Sequence, residues 1–218
     1  MAILNQDELL KNLASQSVKQ GENLRTAVRE MTLRALTSRE LSLTQIKQVV
    51  SSITQGINLG AAESKMDPQK AVADALAGMD EAVLKAAQAS RVALEHFGAG
   101  KDFEQSQLKQ ALDDLEHMED EFLSAVKKAS NGATDQLRSQ WAKALKDAKM
   151  SGTNTGEQVT EAMEAFGKRM QASMREQRAA SFKMAHMMGQ NFATLASGVL
   201  IGLSEAYEQK GKTKRKES

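Results

Sequence analysis

The residues best spaced for chemistry lie in DDLEHMEDE, Asp113 to Glu121. On a helix Asp113 and Glu121 fall four residues either side of His117, and Asp114 three before it, so three carboxylates and an imidazole share one face. A di-iron bundle needs a carboxylate-x-x-His pair on each of two helices, faced by further glutamates. The second copy is missing, because neither His96 nor His186 has an acidic residue three or four positions away. The cluster therefore reads as a solvated acidic face, with no metal ligand and no cofactor expected.

Other catalytic classes lack their parts. With no cysteine in the chain, thiolate nucleophiles, thiolate metal sites and disulfides are absent together, which fits a reducing compartment. No Gly-x-Ser-x-Gly elbow gives a serine its base and orienting acid. The glycine-bearing stretches FGAG (97–100) and MSGTNTG (150–156) lack the lysine and the strand-to-helix setting of a phosphate loop. No catalytic residue is assigned, and the expectation is a protein that is not an enzyme.

What remains is a helical chain. Its 218 residues include one proline and few aromatics, amid abundant Ala, Gln, Lys, Glu, Leu and Met. No run alternates with period two, so no strand is expected. Leu10, Ala14, Ser17, Gly21, Leu24, Val28, Met31 and Ala35 recur in steps of three and four, the seam of a coiled coil. Two overlapping capping boxes, Thr37 with Glu40 and Ser42 with Gln45, then announce a second helix carrying Leu43, Ile46, Val50, Ile53 and Ile57. Asp67 and Pro68 open a third, whose stripe is Val72, Leu76, Met79, Val83, Ala86, Ser90, Ala93 and Phe97.

A fourth helix runs from about Phe103, with Leu108, Leu112, Leu115, Met118, Phe122, Ala125 and Ala129 inward, and SNGAT (130–134) kinks or interrupts it before Trp141 and Leu145. The small polar stretch 150–157 reads as a linker, with Thr155 capping a fifth and longest helix that begins at about 158 and reaches 209. A lysine-rich tail, 210–218, follows. The expected architecture is all-α: an elongated antiparallel helical bundle of about five long helices, about four of them in residues 1–149. Acidic residues concentrate in 102–121 and basic ones in 127–149 and 168–183, which reads as opposite-sign outer faces of neighbouring helices.

One window stands apart. From Met184 to Ser204 there is no Asp, Glu, Lys or Arg. Four roles compete for it. As buried core, Met184, Met188, Phe192, Leu195, Val199 and Leu203 continue the helical stripe. As a self-association face, the small residues Ala185, Gly189, Ala193 and Ser197, with Gly198 and Gly202 on the adjacent row, allow close helix contact, Gly189, Ala193, Gly198 and Gly202 being the packing candidates. As a surface-binding face, Met184, Met187, Met188, Phe192, Leu195, Val199 and Leu203 are the contact candidates, the methionines offering deformable apolar contact between the arginines of the preceding segment and the basic tail, Lys210, Lys212, Lys214, Arg215 and Lys216. A membrane-spanning role is disfavoured by Gln190 and Asn191 in mid-window.

In style the chain resembles the phasins, bacterial helical proteins that coat polyhydroxyalkanoate granules. The likeness rests on cysteine-free, proline-poor amphipathic helices such as AVADALAGMDEAVLKAAQASRVAL (71–94) and on the Lys-rich end KGKTKRKE (210–217). It implies a non-enzymatic, cytoplasmic protein at the surface of a hydrophobic inclusion or a membrane. An oligomeric coiled-coil scaffold binding other proteins is the alternative. A homo-oligomer is expected because one copy hardly buries such long stripes, and net charge of +1 leaves nucleic-acid contact to the tail alone. With Asp7 and Glu8 near the start, no export segment is expected.

Overall fold

A computed structural model of the protein describes residues 6–21, 23–99, 105–177 and 194–204. Its elements are α1 (Gln6–Gln20), α2 (Leu24–Thr37), α3 (Leu43–Glu63), α4 (Pro68–Ala99), α5 (Gln105–Glu116), α6 (Met118–Ser130), α7 (Asp135–Ser151) and α8 (Asn154–Gln177). Residues 194–204 form a further helical run, and no strand occurs among the described residues. The all-α expectation is met, in more pieces than about five.

Each extra break has a local cause. The seam from Leu10 to Ala35 divides where Gly21 (φ 71°) and Asn23 (φ 46°) turn left-handed, the region that glycine and asparagine enter most readily. Of the two capping boxes, only the second starts a helix: Ser42 accepts a hydrogen bond from the Gln45 amide (3.3 Å), whereas Thr37 ends α2 and its hydroxyl donates back to the Arg34 carbonyl. Asp67 caps α4 as its sequence implies, accepting from the Gln69 amide at 3.1 Å. The fourth expected helix becomes three, interrupted at His117 and again at 131–134. The helix expected from about 158 begins earlier, at Asn154, so that α7 and α8 are joined by only Gly152 and Thr153.

Helices choose partners by fit rather than by order along the chain. α1 lies mainly on α3 and α2 on α4, while α3 also meets α6, and α4 meets α7 and α8. The α1–α3 contact is close because Gly56 and Gly60 of α3 sit one turn apart beneath it. A Cβ on Gly56 would meet Lys11's carbonyl and Ala14 Cβ (2.7 Å), and one on Gly60 would meet Ser15's backbone and Val18 Cβ (2.9 Å). Residue numbers rise together across this contact, and Lys19 pairs with Glu63 beyond it at 2.6 Å. α1 and α3 therefore run parallel. So do α3 and α6, where Lys47 meets Glu121 (2.9 Å) and Asn58 meets the Ala129 carbonyl (3.1 Å). These pairs depart from the antiparallel hairpins expected.

The expected stripes do form the core. Ile46, Val50, Ile53 and Ile57 of α3 and Val72, Met79, Val83, Ala86 and Ala93 of α4 are essentially inaccessible, as are Phe122 of α6 and Trp141 of α7. Trp141 carries a polar handle that needs a partner when buried. Its Nε1–H donates to Asn58 Oδ1 (2.8 Å), and Asn58 Nδ2 donates on to Ala129, so one amide joins α3, α6 and α7.

Candidate functional site

The Asp113–Glu121 constellation is not assembled. His117 is the residue between α5 and α6, exposed, and its Nδ1 lies 2.7 Å from the Asp113 backbone carbonyl rather than from a carboxylate. Glu121 is engaged by Lys47 on α3. That carbonyl contact raises the His117 pKa above its ordinary 6.5, with the negative charges of Glu116, Asp113 and Asp120 adding to the effect. Among the described residues no three His, Cys, Asp or Glu side chains stand close enough to hold a metal ion.

The most built polar site is the start of α8. Thr153 precedes the helix in the linker and accepts from the Gly156 amide at 2.9 Å, so it, rather than Thr155, is the cap. Thr155 is buried instead. Its hydroxyl donates to Asp80 Oδ1 (2.7 Å), and the Thr155 and Asn154 amides donate to the same carboxylate at 3.1 and 3.0 Å. Asn154 Nδ2 adds a fourth donor at 2.7 Å. Asp80 sits in the middle of α4 and is only 6% exposed. Glu119 of α6 accepts from the Thr153 hydroxyl (2.6 Å) and packs against Gly156, where a Cβ would strike it. Two carboxylates from two helices thus face the positive end of a third.

Beside this junction α4, α7 and α8 leave a groove of about 830 Å³. α4 and α7 both line it with alanines, Ala73 and Ala77 from one and Ala144 and Ala148 from the other. Its polar wall includes Asp80, Glu119, Asp147 and Glu157, with Lys143 among them. Asp80 and Glu119 are both occupied as acceptors, each by a threonine hydroxyl and Asp80 by two backbone amides as well. Their arrangement fixes where α8 begins.

The uncharged window is described only in its distal half. Met184, Met187, Met188, Gly189, Phe192 and Ala193 lie outside the described residues, as does the basic tail with Lys210, Lys212, Lys214, Arg215 and Lys216. Within 194–204, Ala196 and Leu200 are fully buried, and Leu195, Val199 and Leu203 are partly buried against the same core. The Ser197 hydroxyl oxygen accepts from the Leu41 amide, just before α3, at 2.8 Å. Gly198 and Gly202 face outward, with nothing among the described residues within 4 Å of where a Cβ would stand. Ile201 lies on the same side, 40% exposed. No helix among the described residues is long and apolar enough to cross a membrane.

Sequence periodicity missed the junction residues Asp80, Glu119 and Thr153, since a carboxylate in mid-helix looks solvated until a neighbour's end is placed over it. It also missed Leu9 and Leu13 of α1 and Leu59 of α3, each more than 40% exposed. Leu9 and Leu13 are one turn apart and opposite to the side through which α1 meets Gly56 and Gly60, so an extra apolar row beside the seam was the available signal.

Fold and site together define an all-helical protein whose described polar clusters join helices to one another. A family model described as "Family of unknown function (DUF6781)" matches residues 1–209, and the chain belongs to that family. No curated protein and no solved structure matches the chain.

Proposed function

We propose that this protein is a non-catalytic, elongated helical bundle that associates with a hydrophobic surface, in the manner of a granule-coating or membrane-peripheral protein of the cytoplasm. The observation that carries the reading is the 194–204 helix. It is anchored through Ala196 and Leu200, and its outward side, Thr194, Gly198, Ile201 and Gly202, bears no charge and no bulky polar group. Exposed Leu9, Leu13 and Leu59 add apolar surface elsewhere. Apolar residues scattered singly are ordinary on a protein surface; what supports the reading is a whole helix side without charge, with lysines following from residue 210 onward.

Flotation tests it. Wild type is expected to rise with anionic liposomes or with isolated polyhydroxyalkanoate granules, and Ile201→Glu, with Met187→Glu and Met188→Glu as a companion variant, to reduce that partition. Wild type remaining wholly in the aqueous fraction with both would end the proposal. The second reading, an oligomeric scaffold for other proteins, draws on Gly198 and Gly202, whose open side leaves room for a second helix. Light scattering over micromolar concentrations separates the two, a monomer at all concentrations being incompatible with the scaffold.

A further inference from the structure

Surface association meets an obstacle in the structure itself. The residues of 194–204 with most apolar area, Leu195, Val199, Leu200 and Leu203, are turned toward the core, and Leu200 has no accessible surface at all. We infer that residues 194–204 are a detachable strap, docked over the α2–α3 connection in the free protein and released as a unit to free that apolar face. The destination of the released face rests on the surface-binding reading above; the release does not.

Three features make this segment the one that opens. Among the described residues its polar tie to the body is the bond from the Leu41 amide to Ser197 Oγ, in contrast to the four donors that converge on Asp80 at the start of α8. It carries two glycines, Gly198 and Gly202, that no close approach by another described residue requires, and each weakens a helix relative to alanine. It also lacks charged residues, so no i,i+4 ion pair supports it once it leaves the core. A segment with weak local support can open sub-globally, ahead of the core, even where its apolar side is docked.

The chain has no cysteine, so a single thiol can be placed without background. Leu200→Cys and, as a core control, Val50→Cys on α3 start from side chains with no exposure. In native buffer the thiol at position 200 is expected to react with a maleimide about a hundredfold faster than the one at position 50, as sub-global opening predicts. Ser197→Ala should accelerate position 200 further and leave position 50 unchanged. Equal rates at the two positions would overturn the strap. Hydrogen exchange on the wild type guards against a packing defect in the variants: the Leu41 amide should exchange with the 194–204 amides, and Leu41 exchanging as slowly as the α3 interior would also overturn it. Flotation with phosphatidylglycerol–phosphatidylcholine vesicles, run on the same variants, tells the two failures apart. Fast labelling without flotation supports the strap and removes the surface reading, whereas flotation with equal labelling rates removes the strap alone.

Discussion

Replacing glycine by alanine should have opposite signs at two places in this chain. In an unobstructed helix the change stabilises by about 1 kcal/mol. Gly198 and Gly202 have open space on the Cβ side, so each substitution there is expected to contribute that gain. At Gly60 the added methyl would stand 2.9 Å from Ser15 Cα and 2.9 Å from Val18 Cβ, and closer still to Ser15's carbonyl oxygen. Carbon atoms settle at roughly 3.5 to 4.0 Å, so α1 must retreat from α3 by about 0.6 Å or more, and a gap of that size forfeits roughly a quarter of the contact energy along the seam. The obstacle is largely backbone, which cannot rotate away. Strain and lost contacts of about 3 kcal/mol, in the range of overpacked cores, exceed the propensity gain and leave Gly60→Ala about 2 kcal/mol less stable. Urea unfolding followed by far-UV circular dichroism at constant m-value measures all three variants. A stabilised Gly60→Ala would refute the close parallel approach of α1 and α3.

Other consequences can be measured in the same way. Asp80→Ala removes the acceptor of the Asn154 and Thr155 amides and should cost about 3 kcal/mol in urea unfolding, through orphaned donors and a lost cap; a cost below about 1 kcal/mol would mean that α8 is held elsewhere. Trp141→Phe leaves Asn58 Oδ1 buried without its donor and should cost about 1 to 3 kcal/mol, read from the same urea transitions. An NMR titration should place the His117 pKa above 6.5, because its ring donates to the Asp113 carbonyl beside Glu116 and Asp120. A raised folded-state pKa makes this contribution to stability complete below pH 6.5 and lost as pH rises through the raised value, so His117→Ala should flatten the pH dependence there.

The apolar spacing was legible because it reports one helix at a time. The stripe is buried from Val72 through Leu76, Met79, Val83, Ala86 and Ser90 to Ala93, the Phe97 side chain lying outside what is described, and the caps at Ser42 and Asp67 are where their local chemistry places them. Breaks were less legible. A three-and-four rhythm passes through Gly21 without a change of step, yet the backbone turns left-handed there, and an extra turn at His117 divides a helix whose stripe continues on both sides. The proposed binding residues were only partly accessible to structure, since those from Met184 to Ala193 lie outside the described residues.

Helix content, the identity of the core stripes and the want of thiolate chemistry belong to the sequence alone, because propensity, periodicity and composition act over a few residues. Which stripe meets which was decided only in three dimensions. Nothing within α3 says that Gly56 and Gly60 will receive α1, rather than α2 or α4, since a glycine pair specifies close approach and not the element that approaches. Asp80 likewise became a helix cap only when the fold carried Asn154 and Thr155 to it across more than seventy residues of chain, a meeting that depends on the packing of α4, α6 and α7 together. The same holds for 194–204: its sequence permits burial, self-association or surface contact, and the docking of Leu200 into the core is the choice made by tertiary structure, because the body offered an apolar seat and a free amide at Leu41.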